Sequence, residues 1–224
     1  MIRLPDPEKY DDPIKYFRDS HKIIANVVAR FFSLIDAAGT KGVSFLLEKK
    51  DEWSELLEFF VRGGPIHEQD EARALFPVIL EKVPHLGFQS PKEPYRFILE
   101  EHEVMQQRAR ALLAIWKGYL VQQSLSADDE KRFFDVSDEL VKLYHEHIGM
   151  EDKIIYTAAN DNLLTPAERI GIMLLIREMH SERTVTPVIG FESTIYDSAS
   201  EDEDDSAISK NVIDVEEEPD DEDE

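Results

Sequence analysis

The sequence predicts an all-α fold: an up-down-up-down four-helix bundle with an added C-terminal helix and a disordered acidic tail. Three observations carry this. Apolar residues recur at three- and four-residue steps through long stretches of the chain. No stretch alternates apolar and polar residues with comparable strength, as a half-buried strand would. The links between the stretches are short and rich in helix-stopping or helix-capping residues, and four long helices joined by short links pack as antiparallel neighbours.

The first helix is expected from Pro13 to Ala38, with Phe17, Ile24, Val28, Phe31 and Ile35 on one face and Gly39 as its stop. The second covers Val43 to Lys82 and is expected to kink or break at Gly63-Gly64-Pro65. Val83 to Glu93 reads as a loop, with Pro84, Gly87 and Pro91 and no periodicity. The third helix runs from Pro94 to Gln123. Ser124 to Ala127 is a link in which Ser126 caps the fourth helix, Asp128 to Ala159, with favourable early acidic charge. Thr165-Pro166-Ala167-Glu168 reads as N-cap, first-position proline and capping-box glutamate of a fifth helix ending near Glu182.

Residues 1–183 are thus expected to form the bundle, and residues 184–224 an extension and tail. From Asp197 onward there are 15 acidic residues and one Lys. Such a segment is too charged and too poor in apolar residues to order itself. The whole chain, 224 residues with a net charge of −23, should repel nucleic acid and anionic membranes. The absence of Cys excludes disulfides, thiolate zinc sites and cysteine-held iron–sulfur clusters. No run of eighteen apolar residues and no signal-peptide pattern is visible, so no membrane span is expected and the cytoplasm is the simplest address.

The histidines carry the chemistry. Two are followed by Glu four residues later, His67…Glu71 and His147…Glu151, so that on a helix each pair shares one face. His21 to His67 spans 46 residues and His102 to His147 spans 45; His21 to His102 spans 81 and His67 to His147 spans 80. The chain therefore reads as two similar halves, each a His helix followed by a His-x-x-x-Glu helix. His102 and His147 lie almost equally far from the link between their helices, so antiparallel packing puts them at one level. Four imidazoles and two carboxylates are too many for one zinc ion. They suit two cations bridged by carboxylates, with iron, zinc and manganese all compatible. A surface His–Glu pair or a hydrogen-bonded core His is the plainer reading of either motif alone; the repeated spacing of four positions favours the metal site. His85, in the loop, His180, late in the fifth helix, and His145, on another face from His147, are expected outside it. Tyr144, three residues before His147, and Glu68, beside His67, are candidates to touch a bound ligand or an open metal position.

These residues resemble the hemerythrin-like, or HHE cation-binding, family. The resemblance covers about residues 13 to 183. It rests on Ser20-His21-Lys22, on His67-Glu-Gln-Asp-Glu71 leading into Leu75-Phe76-Pro77, on Glu101-His102-Glu103, and on Tyr144-His-Glu-His147-Ile-Gly-Met-Glu151. It implies a four-helix bundle with two iron ions, oxo- or hydroxo-bridged. His21, His67, His102 and His147 would be shared between them, and Glu71 and Glu151 would bridge. Oxygen-carrying members place a second His four residues after that of the third helix, where this chain has Gln106. Their last motif has an Asp five residues after its His, the position of Asp152 here. Glu151 is preferred because it repeats the Glu71 spacing, and Asp152 stays open as the alternative. Gln106 implies a more open iron, which favours peroxide chemistry or a response to nitric oxide over reversible oxygen carriage. The two His-x-x-x-Glu motifs are also similar to iron–sulfur-centre repair proteins, without their usual cysteine-containing domain. Ferritin-like sites use Glu-x-x-His, which no His here satisfies.

Three functions follow as expectations. The first is a protein that binds or senses dioxygen or a related small ligand such as nitric oxide or peroxide. The second is an enzyme that consumes peroxide or acts on nitric oxide at the same centre. The third is a metal-free or zinc-bearing helical adaptor whose acidic tail meets a basic protein partner, against the plainer reading of the tail as a solubilising segment.

Overall fold

The computed structural model describes residues 2–82 and 93–185. The expected loop with His85, and the extension and acidic tail from residue 186 onward, lie outside the described residues. Among the described residues there is no strand. After a short 3-10 turn, Pro7–Lys9, come five long helices: α1 (Pro13–Lys41), α2 (residues 50–82), α3 (Glu93–Gln122), α4 (residues 127–163) and α5 (Pro166–Val185). A single helical turn, Phe45–Glu48, joins α1 to α2.

Capping fixes most of the helix starts. Asp12 accepts a bond from the backbone N–H of Ile14 ahead of Pro13. Ser126 accepts from the N–H of Asp129, and Asp128, Asp129 and Glu130 supply the early negative charge. The capping box is reciprocal: the Glu168 N–H donates to Thr165 Oγ1 at 3.3 Å, and the Thr165 N–H to Glu168 Oε2 at 2.7 Å. The expected stop at Gly39 is not used. α1 runs on to Lys41 and ends at Gly42, whose φ of 87° with ψ of 156° is a conformation open to glycine. Gln123, which follows α3, also has a positive φ, 56°. α5 extends to Val185, three residues past its expected end.

Of the kink or break expected at Gly63-Gly64-Pro65, the break is absent. Residues 59–63 form a π turn in which the N–H of Gly64 reaches the carbonyl of Phe59, five residues back. Pro65 then sits in the first turn of the following α-helical stretch, where a missing N–H costs least. π turns recur at Glu71–Leu75, at Glu151–Ile155 and at Ala159–Leu163. Each of these is one residue longer than an α turn and re-aims the side chains that follow.

Contacts between neighbouring helices step up one helix as they step down the other, so the neighbours are antiparallel. α1 meets α2 through Tyr16–Asp70 and Arg30–Glu52. α2 meets α3 through Ser54–Trp116 and Glu68–Gln106, and α3 meets α4 through His102–His147 and Arg108–Glu139. α1 carries an 18-residue window of mean hydropathy 1.4, long and apolar enough by those measures to cross a membrane. Its apolar face, Phe17, Ile24, Val28, Phe31 and Ile35, is buried in the bundle as expected.

The core has two apolar clusters. One gathers Phe31, Trp53, Trp116, Phe133 and Leu140; the other Ile14, Phe17, Leu75, Phe76, Ile172 and Ile176. On each of α1 to α4, the predicted metal-site residues fall between the stretch that feeds one cluster and the stretch that feeds the other. A layer of imidazoles and carboxylates thus crosses the bundle between two apolar halves. α5 is fastened beside it by the buried Asp70 of α2, which accepts from Tyr16 Oη at 2.9 Å and Arg183 Nη1 at 3.0 Å and lies 2.7 Å from His180 Nε2. His180, expected from the sequence to lie outside the metal site, is part of that anchor.

Candidate metal centre

His21 comes from α1, His67 and Glu71 from α2, His102 from α3, and His147 and Glu151 from α4. The structure brings all six together, none more than 4 % exposed. Their donor atoms form two overlapping groups, each within 4.8 Å: His21, His67, Glu71 and Glu151, and Glu71, His102, His147 and Glu151. Both carboxylates belong to both groups. Each half read from the histidine spacing supplies two imidazoles and one carboxylate of one group, and the Glu of the other half completes it.

The rings are aimed by their outer nitrogens. His21 presents Nε2 to Glu151 at 3.3 Å and to Glu71 at 3.8 Å, while its Nδ1 meets Asp152 at 3.2 Å. His147 presents Nε2 to Glu151 at 3.3 Å, while its Nδ1 meets Glu101 at 2.8 Å. A carboxylate behind an imidazole fixes its orientation and makes it a stronger donor. Asp152 therefore stands behind His21 rather than among the inward-facing donors, and Glu151 occupies the inner position. Glu101 adjoins His102 in sequence, but no spacing rule pointed to its role behind His147.

Glu71 and Glu151 each open a π turn. The N–H of Phe76 reaches the carbonyl of Glu71, and that of Tyr156 the carbonyl of Glu151. Phe76 and Tyr156 thus occupy equivalent places, but only Tyr156 has a hydroxyl. It donates to Glu71 Oε1 and lies 3.2 Å from His21 Nε2. Nothing in the sequence separated Tyr156 from an ordinary core aromatic.

Electrostatics in the absence of a cation show how the site is loaded. Burial opposes charge on His21, but its bond to Asp152 and the close carboxylate charge of Glu151 carry it up to about 9. Burial opposes His147 too, yet the charge of Glu151 and the bond to Glu101 raise it well above the usual imidazole range. Burial drives His67 well down, and His102 down to about 3, with neighbouring imidazolium adding to both. Glu71 is pushed well up by burial and by the charge of Glu151. For Glu151, burial is overcome by His147 and His21, which hold it well below the usual carboxylate range.

Cations fit this donor set. Both ring nitrogens of His67, Oε2 of Glu71 and both oxygens of Glu151 are buried with no hydrogen-bond partner. Orphaned polar atoms in such number are rare in folded proteins, and coordination would satisfy them. Nε2 of His102 and Nε2 of His147 point at each other across 2.9 Å. Two nitrogens bound at about 2.1 Å to one cation, about 90° apart, stand about 3 Å from each other.

Against this layer lies a cavity of about 10 Å³, counted as room for the centre of a water-sized molecule. That is space for one small molecule. Apolar walls come from Ile24, Met105 and Ile148, and His21, His67 and His147 close one side. Tyr144 Oη and Glu68 Oε1 are buried there without a hydrogen-bond partner. The other oxygen of Glu68 accepts from Gln106 at 2.6 Å, and burial lifts this carboxyl to about 7. The cavity depends on Gly64, where a Cβ would stand 2.6 Å from Tyr144 Oη. Of the remaining histidines, His145 is exposed and outside the cluster, as expected.

A family model described as hemerythrin HHE cation binding domain matches residues 12–159, the stretch that contains all six residues. No curated protein and no solved structure matches the chain.

Proposed function

The chain belongs to the hemerythrin HHE cation-binding family, and on that premise we propose that it holds two iron ions and binds or senses dioxygen or a related small ligand, nitric oxide or peroxide. The observation that carries this reading is the sharing of Glu71 and Glu151 by two four-residue groups. Each group offers two imidazoles of its own, and the two carboxylates, common to both groups, would hold both ions. Imidazole with carboxylate is a donor set that suits iron. A pair of irons, when bound, supplies redox capacity and open positions for a small exogenous ligand.

The protein's own residues do the rest. Asp152 and Glu101 hold His21 and His147 with Nε2 inward. The two apolar clusters keep bulk water from the layer between them. The cavity beside His67 and His147 limits the ligand to a few atoms, and Tyr144 offers it a hydrogen bond.

A second reading, consumption of hydrogen peroxide, is favoured by the presence of both Tyr144 Oη and Glu68 Oε1, each without a partner, at that cavity. Hydrogen peroxide both accepts and donates hydrogen bonds, as this pair does together. Dioxygen and nitric oxide only accept.

Two measurements test the proposal. Purified, iron-supplied protein should contain two irons per chain and show near-ultraviolet charge-transfer absorption. After anaerobic reduction, titration with oxygen should change that spectrum. Protein without stoichiometric iron, or with a spectrum indifferent to oxygen, nitric oxide and peroxide, would end it. Peroxide turnover no faster than in Glu151→Ala would end the second reading alone.

A further inference from the structure

The centre is sealed, since its six residues are all but inaccessible, so electrons must reach it through protein. A file of aromatic rings in contact leads outward from it. The ring of Tyr156 lies 4.9 Å from that of His21, centroid to centroid. Phe17 stacks on Tyr156 at 5.8 Å, Tyr16 meets Phe17 at 5.3 Å, and Tyr10 meets Tyr16 at 5.6 Å. The first four rings are buried and Tyr10 is only half-buried. Tyr10 lines an open depression of about 710 Å³ at the surface, with Asp6, Asp11, Asp12, Lys15 and Asp19.

A tyrosine yields an electron readily only when its hydroxyl proton has somewhere to go. Tyr16 Oη donates to Asp70 Oδ2 at 2.9 Å, and Tyr10 Oη to Asp19 Oδ2 at 3.1 Å. Tyr119, by contrast, is a core tyrosine packed on Trp116, away from this file. The centre, the acceptors and the surface exit therefore lie on one line of contacts.

We propose that Tyr16 and Tyr10, joined to the centre through the rings of Tyr156 and Phe17, form an electron-transfer route between the metal centre and the surface depression at Tyr10. The proposal rests on the iron reading above and, for its oxidant, on the peroxide reading. Its oxidant is hydrogen peroxide at the centre, and its electron source is a one-electron reductant in solution. Tyr16 passes one electron inward while its hydroxyl proton crosses to Asp70. Tyr10 then refills Tyr16: the proton returns from Asp70, and that of Tyr10 crosses to Asp19. The reductant refills Tyr10, and the proton returns from Asp19. Each passage breaks and remakes one O–H bond at each tyrosine and delivers one electron. Two passages, with two protons from solvent, match the reduction of one hydrogen peroxide to two waters.

The test uses the full chain, iron-loaded and assayed for metal before anything else. After mixing with hydrogen peroxide and freezing, electron paramagnetic resonance should show a tyrosyl radical that Tyr16→Phe and Tyr10→Phe each diminish or alter. Reduction of the peroxide-treated protein by hexaammineruthenium(II), followed optically, should slow about tenfold or more in both variants, and by less than about twofold in Tyr119→Phe. Wild-type radical yield and reduction rate in Tyr10→Phe, a surface change that should leave the fold alone, overturn the route even if Tyr16→Phe fails to fold. Equal slowing in Tyr119→Phe overturns it as well. A wild-type chain that binds no iron removes the route together with the iron reading, whereas an iron-loaded chain with unaffected variants removes the route alone.

Discussion

Oδ1 of Asp152 lies 3.2 Å from Nδ1 of His21, on the edge of the ring opposite the nitrogen that faces Glu71 and Glu151. Adjacent acidic residues thus serve different ends: Glu151 is fully buried among the inward donors, and Asp152 is 42 % exposed and braces an imidazole. Their substitutions should differ accordingly. Asp152→Asn should weaken metal binding by about 10- to 100-fold while leaving the fold and the metal count at saturation unchanged. Glu151→Ala, which removes a carboxylate from both groups at once, should lower the count itself. Competition with a chromophoric chelator measures both. Equal losses in the two variants would contradict this division of roles.

Loading the centre should expel protons. At neutral pH the metal-free site keeps a proton on His21, raised to about 9, and its surroundings favour the protonated forms of His147 and Glu71 too. A cation needs these groups deprotonated, so protons should leave the chain on saturation at pH 7. Affinity should accordingly rise with pH until His21 has titrated. Zinc added anaerobically to weakly buffered protein containing an indicator dye reads this directly. Proton-neutral uptake would show that the imidazoles are already free, and would undo the picture of a site held together by shared protons.

The same displacements set the pH of greatest stability for the chelator-treated protein. His102 falls to about 3, and His67 falls too, from an unfolded value of about 6.5. Between those values the unfolded chain binds the proton and the folded chain does not, so stability drops as pH falls through that window. His21 rises to about 9, with His147 in the same direction. Their contribution is complete below about 6.5 and is lost as pH climbs toward His21's raised value. Glu151, depressed, loses its share on acidification, and Glu71, raised, on alkalinisation. Urea unfolding followed at a series of pH values should therefore give a midpoint that peaks near pH 6.5. A midpoint climbing steadily through pH 8 would refute it.

The helices and the six inward residues were legible in the sequence because both depend on periodic spacing. Phe17, Ile24, Val28, Phe31 and Ile35 show a face by their steps, and His67 with Glu71 shows one by a single turn. What the spacing did not convey lies in local backbone and in contacts between distant residues. Gly63-Gly64-Pro65 reads as a break because glycine and proline disfavour an ordinary α turn, yet a π turn absorbs them. The π turns at Glu71 and Glu151 leave no compositional mark, so Tyr156 could not be placed against Glu71 in advance. Glu101 and Asp152 each lie next to a residue of the centre but brace an imidazole on another helix, and the pairing follows only from helix packing.

Gly64 offers the most selective way to probe the ligand cavity. Alanine is ordinarily the better residue inside a helix, by about 0.5–1 kcal/mol. Here its Cβ would stand 2.6 Å from Tyr144 Oη, and the buried ring, packed against Phe60 at 5.1 Å, has little room to retreat. Gly64→Ala should therefore leave the metal content intact and weaken nitric oxide or peroxide binding by about tenfold or more. Tyr144→Phe separates the two causes. It keeps the shape of the ring and removes a hydroxyl that has no protein partner, so the metal-free protein should melt no lower than the wild type. The iron-loaded variant should still lose about tenfold in ligand affinity, because the hydrogen bond to the ligand is gone. A lower melting temperature with unchanged ligand binding would mean that the Tyr144 hydroxyl serves the fold and that the ligand sits elsewhere.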